Sequence, residues 1–239
     1  MNTGLKDNFL IIIVFSALAL LGNYLSLPVF FGVDFIFGSI IVMFAIAIYG
    51  NQVGFISAFI AGLYTLILWG HPYALIIFTL EAIVVGYTYY QYKKPLVILD
   101  MGYWLLIGIP LVLLFYTQLI GLNLSTAVFI AFKQSLNGVF NTLIAGLMVL
   151  AVLLFKDSKT KSNLKEKPSI TNIHFYVLLT LILVSGGVPV VLDSYQLRVD
   201  QETFLNKTMK DFGQVSLNQI EGNKYKNVNE IVIPRPPHD

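Results

Sequence analysis

Apolar residues fall along the 239-residue chain in seven long blocks with short polar breaks, at about 9–25, 35–50, 53–69, 74–90, 101–120, 127–155 and 172–191. A helix crossing the hydrocarbon core of a bilayer needs about 20 mostly apolar residues, so each block predicts a transmembrane helix. The second block is short. Gly50-Asn51-Gln52 leaves room only for a tight turn before the third, which predicts a helical hairpin there. The first block lacks a following small-x-small cleavage site and polar mature chain, so it reads as a retained helix, not a signal peptide. Pro110 and Pro189 fall inside apolar blocks, where each is expected to kink its helix. The predicted fold is therefore all-α, a polytopic transmembrane bundle of about seven helices over residues 1–193. A polar tail, 194–239, follows with six basic and six acidic side chains. Tyr195, Val199, Leu205, Met209, Phe212 and Leu217 recur there at loosely helical spacing, so the seventh helix is expected to run on to about Ile220. The tail is too short for a core of its own. It ends in extended, proline-rich chain from Ile231, which reads as the start of a further region or a frayed end.

Charge sets the expected orientation. Lys93 and Lys94 follow the fourth block and Lys156, Lys159, Lys161, Lys165 and Lys167 follow the sixth, whereas the breaks at 26–34, 70–73 and 121–126 hold no Lys or Arg. Because cytoplasmic loops carry the Lys/Arg excess, the N-terminus is expected in the cytoplasm and the C-terminus outside. Tyr87, Tyr89, Tyr90 and Tyr92 would then form the inner aromatic belt, and Trp69 and Tyr73 the outer one. Composition agrees: 56% of residues are hydrophobic and 12% charged, against about 25% charged in an ordinary soluble domain. Cysteine is absent and the net charge is +2, which removes thiol chemistry and gives no reason to expect nucleic acid as a partner.

Ionisable groups inside apolar blocks carry the candidate chemistry, since each costs about 2.5–3.5 kcal/mol to insert. Glu81 lies seven residues into the fourth block and Lys133 seven into the sixth, both about 10 Å deep at helical rise, so the two are expected to pair. Lys133, Asn137 and Asn141 share one helical face, flanked by Gln134 and Ser135. That face reads either as interhelical glue or as an outward pocket for a small molecule, floored by the amides and mouthed by His71, Tyr73 and Asp34. Asp100 opens the fifth block and is expected to cap it. That leaves Glu81 as the one acid at its depth. No metal site is expected, because His174 and His238 lie far along the chain from His71. Neither is a cofactor or catalysis, since nucleophile-elbow, phosphate-loop, zinc-protease and kinase patterns are all missing.

Three runs, Phe31–Ser39, Trp69–Ala82 and Phe132–Asn141, resemble the multi-helix membrane sensor regions of the MASE or related type that precede histidine kinase or GGDEF diguanylate cyclase modules in bacteria. The resemblance covers roughly residues 25–155. It implies a signal-input role in a two-component or similar system, and makes His71, Glu81, Lys133, Gln134, Asn137 and Asn141 candidate sensing residues. Members of that family run on to a cytoplasmic output module, whereas this chain reaches Asp239 on the outer side. Output would then need a missing module, a separate signalling partner or a homo-oligomer. A small-molecule transporter or substrate-binding membrane subunit is the alternative, although it wants inverted repeats, which the chain does not show. A purely structural assembly protein is the third reading.

Overall fold

The computed structural model describes residues 3–30, 33–155 and 169–222. The lysine-rich break 156–168 and the stretch from Ile231 to Asp239, with His238, lie outside them. Eight α-helices form: α1 (Thr3–Tyr24), α2 (Gly38–Tyr49), α3 (Asn51–Trp69), α4 (Tyr73–Tyr92), α5 (Leu96–Tyr103), α6 (Ile109–Leu114), α7 (Leu124–Phe155) and α8 (Ile170–Gly222). Four spans are long and apolar enough to cross a membrane: α3, α4, the continuous stretch Leu96–Leu119 that contains α5 and α6, and α7. Phe9–Tyr24, Gly38–Tyr49 and Ile170–Ile182 supply three shorter apolar helices. Seven apolar helices thus stand where the hydropathy pattern puts them.

The breaks have local causes. Gly50 at φ 102° and Gly70 at φ 71° end α2 and α3, in a region of backbone space that a side chain rarely enters. Pro95 precedes α5 and Asn123 caps α7, its Oδ1 accepting from the Thr126 N–H at 2.8 Å. Pro110 does not break its span. Ahead of it Trp104–Gly108 widen into a π-helical turn, and Phe115–Leu119 form a second one. A wider turn absorbs the proline ring and the missing donor that would strain an α-helix. The fifth helix begins at Leu96, directly after Pro95 and five residues before the expected start, so Asp100 lies inside it and not at its cap.

One element was not foreseen. Between α1 and α2 the chain forms a short antiparallel hairpin, β1 (Leu27–Phe30) and β2 (Val33–Phe35), with Leu27 opposite Phe35 and Pro28 opposite Asp34. Seven apolar residues among the nine from Leu27 to Phe35 hide the strand period.

The chain divides into two units, 1–186 and 187–239. In the first, α3 packs on α1, α2 and α4, α2 also meets α7, and α5 bridges α4 and α7. The start of α8 joins α5 and α7 through Tyr176 against Val97, Leu143 and Leu150. Burial departs from that of a soluble protein in two ways. Large apolar side chains such as Ile67, Leu106 and Phe155 are 81%, 78% and 90% exposed, whereas Glu81, Asp100, Asn137, Asn141 and Thr142, at most 1% exposed, lie inside among the apolar core. Apolar side chains are stable on the outside, and polar ones are drawn to the inside, where hydrocarbon is the solvent. In the second unit α8 continues to Gly222, past the expected end near Ile220. Val199, Leu205, Met209 and Phe212 are exposed along it.

Candidate functional site

Two polar groups occupy the helix interior, joined by one backbone residue. Near the hairpin, β2 brings Phe35 and α3 brings Trp69 against Lys133 of α7, whose ammonium lies 5.7 Å and 5.2 Å from the two ring centroids. Both rings are within cation–π range. Gln134, next along α7, donates to the Tyr116 hydroxyl at 3.3 Å. That ring meets His71 edge-on at 5.2 Å between centroids, and His71 in turn lies 5.1 Å from Tyr73. Burial lowers the His71 imidazole below its ordinary proton affinity. Lys133, Gln134, His71 and Tyr73 therefore gather at one end with Trp69, Phe35 and Tyr116. The backbone of Asp34 lies in β2 beside them.

The joint is Ile36. Its N–H donates to Asn137 Oδ1 at 2.9 Å, its carbonyl accepts from Asn137 Nδ2 at 2.8 Å, and the same carbonyl accepts from Asn141 Nδ2 at 2.7 Å. Ile36 follows the strand and precedes α2, so no helical or ladder partner satisfies both of its groups. Two amides one turn apart on α7 do so instead. Those side chains thus tie the hairpin–α2 junction to α7 across 101 residues of sequence.

Deeper along α7 lies the second group. Trp104 Nε1 donates to Glu81 Oε1 at 2.9 Å. The carboxyl of Asp100, one turn before Trp104, faces Glu81 within hydrogen-bonding reach, with Ser39 on the Glu81 side and Thr142 on the Asp100 side. Tyr103 closes the group, its hydroxyl donating to the Ile77 carbonyl at 2.6 Å. Gly138 provides the space, since a Cβ there would strike the Trp104 indole nitrogen and come within 2.7 Å of Glu81 Oε1.

This arrangement corrects three expectations. Glu81 has Trp104, Asp100 and Ser39 as its neighbours, not Lys133. The two residues are not at one depth, because Glu81 lies level with Gly138, more than one turn along α7 from Lys133 and its ring partners at the hairpin end. Asp100 caps nothing; it is fully buried in mid-helix. Glu81 therefore does not stand alone, because a second acid reaches it. The missed signal is the i, i+3, i+4 set Asp100, Tyr103 and Trp104, three groups with polar atoms on one face of an apolar helix. Among the described residues no three His, Cys, Asp or Glu side chains gather as metal ligands would.

A cavity of about 10 Å³ opens beside Ser39, among Asn23, Gly38, Ala58, Ala61 and Phe78. That is room for about one water.

The family model described as 5TMR of 5TMR-LYT matches residues 1–132. The chain belongs to that family. This is a five-transmembrane-helix sensor region of LytS-type histidine kinases, so the MASE name taken from the sequence is corrected while the membrane sensor region is upheld. The matched residues take in α1, α2, α3, α4, the span Leu96–Leu119 and the first turns of α7. Glu81, Asp100 and Trp104 fall inside the match, and Lys133, Asn137, Asn141 and Thr142 fall just beyond it, on α7. No curated protein and no solved structure matches the chain.

Proposed function

We propose that this chain is the signal-input module of a bacterial signalling system and that its polar interior is where the input is read. The observation that carries this is the joint between the 5TMR-LYT helices and α7. Asn137 and Asn141 hold Ile36 of the five-helix region, and Thr142 meets Asp100, so a change at either polar group moves the registry of α7. A packed interior is bistable more readily than it is deformable. A small ligand at the hairpin end, or a change in the state of the membrane, then selects between two packings of α7 against the five helices. The N-terminus lies in the cytoplasm and the hairpin faces outward, in line with the lysine distribution. Signalling partners, or a second copy, read the change.

The test uses Thr142→Val, which keeps shape and removes the hydroxyl. Transcripts are compared among the wild-type host, a deletion strain, and deletion strains carrying the wild-type or Thr142→Val chain at equal membrane abundance. The expected result is a defined transcript set lost on deletion, restored by the wild type and shifted in set point by Thr142→Val. Identical transcripts with and without the chain refute a sensory role. Solute accumulation in vesicles would then favour the transporter reading.

A further inference from the structure

The geometry points to the Glu81–Asp100 pair as a binding site for one exchangeable proton within the membrane helices. Three buried carboxyl oxygens, Glu81 Oε2 and both of Asp100, have no hydrogen-bond partner there, and neither does the Thr142 hydroxyl beside them. The Trp104 indole N–H is spent on Glu81 Oε1, and the hydroxyls of Ser39 and Thr142 flank the pair without neutralising either acid. Two carboxylates facing each other in a low-dielectric interior repel and lose their hydration together. A single proton removes one charge and supplies the missing hydrogen, O–H donated from one acid to the other. The proton comes from solution and returns to it, and no other bond changes.

Among the described residues, the elements around the pair bring no competing cation. From α2 comes Ser39, from α5 Tyr103, from the π-helical turn Trp104, and from α7 Thr142. Tyr103 is the titratable neighbour, and it is engaged with the Ile77 carbonyl. Thr142, itself fully buried and without a hydrogen-bond partner, faces Asp100. Its hydroxyl has room to serve as donor when the pair is charged and as acceptor when it is not. A metal ion needs a shell of ligands at fixed distance and the space to hold it. Here the cavity on the other side of Ser39 has room for no more than about one water. Trp104 heads a π-helical turn, a geometry that concentrates at functional sites. A change of charge at Glu81 pulls directly on it. The proposal deepens the sensory reading, which gives the proton its use, but its readout below does not depend on signalling.

The experiment is difference infrared spectroscopy of the full chain in lipid nanodiscs, titrated with pH in sodium chloride and in choline chloride. The expected spectrum has a protonated-carboxyl stretch at neutral pH that shifts in heavy water, disappears on alkaline titration and is the same in both salts. Glu81→Gln and Asp100→Asn each move the band or its midpoint, and the double variant loses it. Three outcomes overturn the proposal: no acid band in the wild type, a band indifferent to one of the two single variants, or a band removed by sodium and not by choline, which would mean a sodium site. The wild-type arms decide the question even if the double variant does not fold. A protonated pair in a chain whose host transcripts ignore it would sink the sensory reading and leave the proton site standing.

Discussion

Asn137 and Asn141 look interchangeable in sequence, yet the structure makes them unequal, and the difference can be measured. Asn137 satisfies both backbone groups of Ile36, whereas Asn141 adds a second donor to a carbonyl that already has one. Asn137→Leu removes two hydrogen bonds and strands the Ile36 N–H in an apolar interior. Polar contacts between membrane helices contribute about 0.6 kcal/mol on average and up to roughly 1.7, and an abandoned buried donor costs about 1–3 kcal/mol more. The expected loss is about 2–5 kcal/mol. Asn141→Leu removes one bond, leaves Ile36 satisfied by Asn137, and also removes Asn141 Oδ1, which is buried without a partner. Its expected cost is no more than about 1.7 kcal/mol. Steric-trap unfolding in bicelles, with both variants at equal protein-to-lipid ratio, measures the two values. Equal costs, or a larger cost for Asn141→Leu, would refute the claim that Ile36 is the point at which α7 holds the five-helix region.

Gly138→Ala should displace the Trp104 indole from Glu81, costing about 1–3 kcal/mol as an overpacked site and altering the emission of Trp104. The chain has two tryptophans, so in a Trp104→Phe background the remaining Trp69 reports the other polar group, and Lys133→Met should change its emission by removing the ammonium over its ring. His71 takes up a proton less readily when folded than when unfolded. Between its lowered folded value and its ordinary value near 6.5 the unfolded chain holds more protons, so its contribution to stability falls as pH drops through that window and is level above it. Thermal melts of the wild type and His71→Gln should converge as pH falls if this slope belongs to His71, and parallel curves would assign it elsewhere. Exchanging charges, Glu81→Lys with Lys133→Glu, should rescue neither single variant's accumulation in membranes, because the two residues have different neighbours. Recovery in the double variant would restore the pairing expected from depth.

The apolar helices were legible because hydropathy reads burial in lipid directly, and it needs no knowledge of which helices touch. That Glu81 and Lys133 lie inside the bundle was legible too. Their relative depth was not, since Glu81 lies level with Gly138, five residues beyond Lys133 on α7, and neither was direction around the helix, since a span apolar on every side has no hydrophobic stripe to fix its rotation. Asp100 shows the cost of that gap. Next to a lysine-bearing break it reads as a cap, and only the true start at Leu96 moves it one turn inside, onto the face that carries Trp104. The hairpin was hidden because the apolar run through it lacks the alternation that marks a strand with one wet face. What sequence could not supply in each case was the neighbour. The polar interior is fixed by contacts between residues 15 to 105 apart, Gly38 N–H to Asn23 Oδ1 at 2.8 Å beside the cavity, Trp104 to Glu81, and Ile36 to Asn137 and Asn141, and each uses a polar atom that the apolar helices cannot satisfy locally. In a membrane such atoms are too costly to leave idle. Their partners therefore define where the five-helix region and α7 are locked together, and where a change of charge would release them.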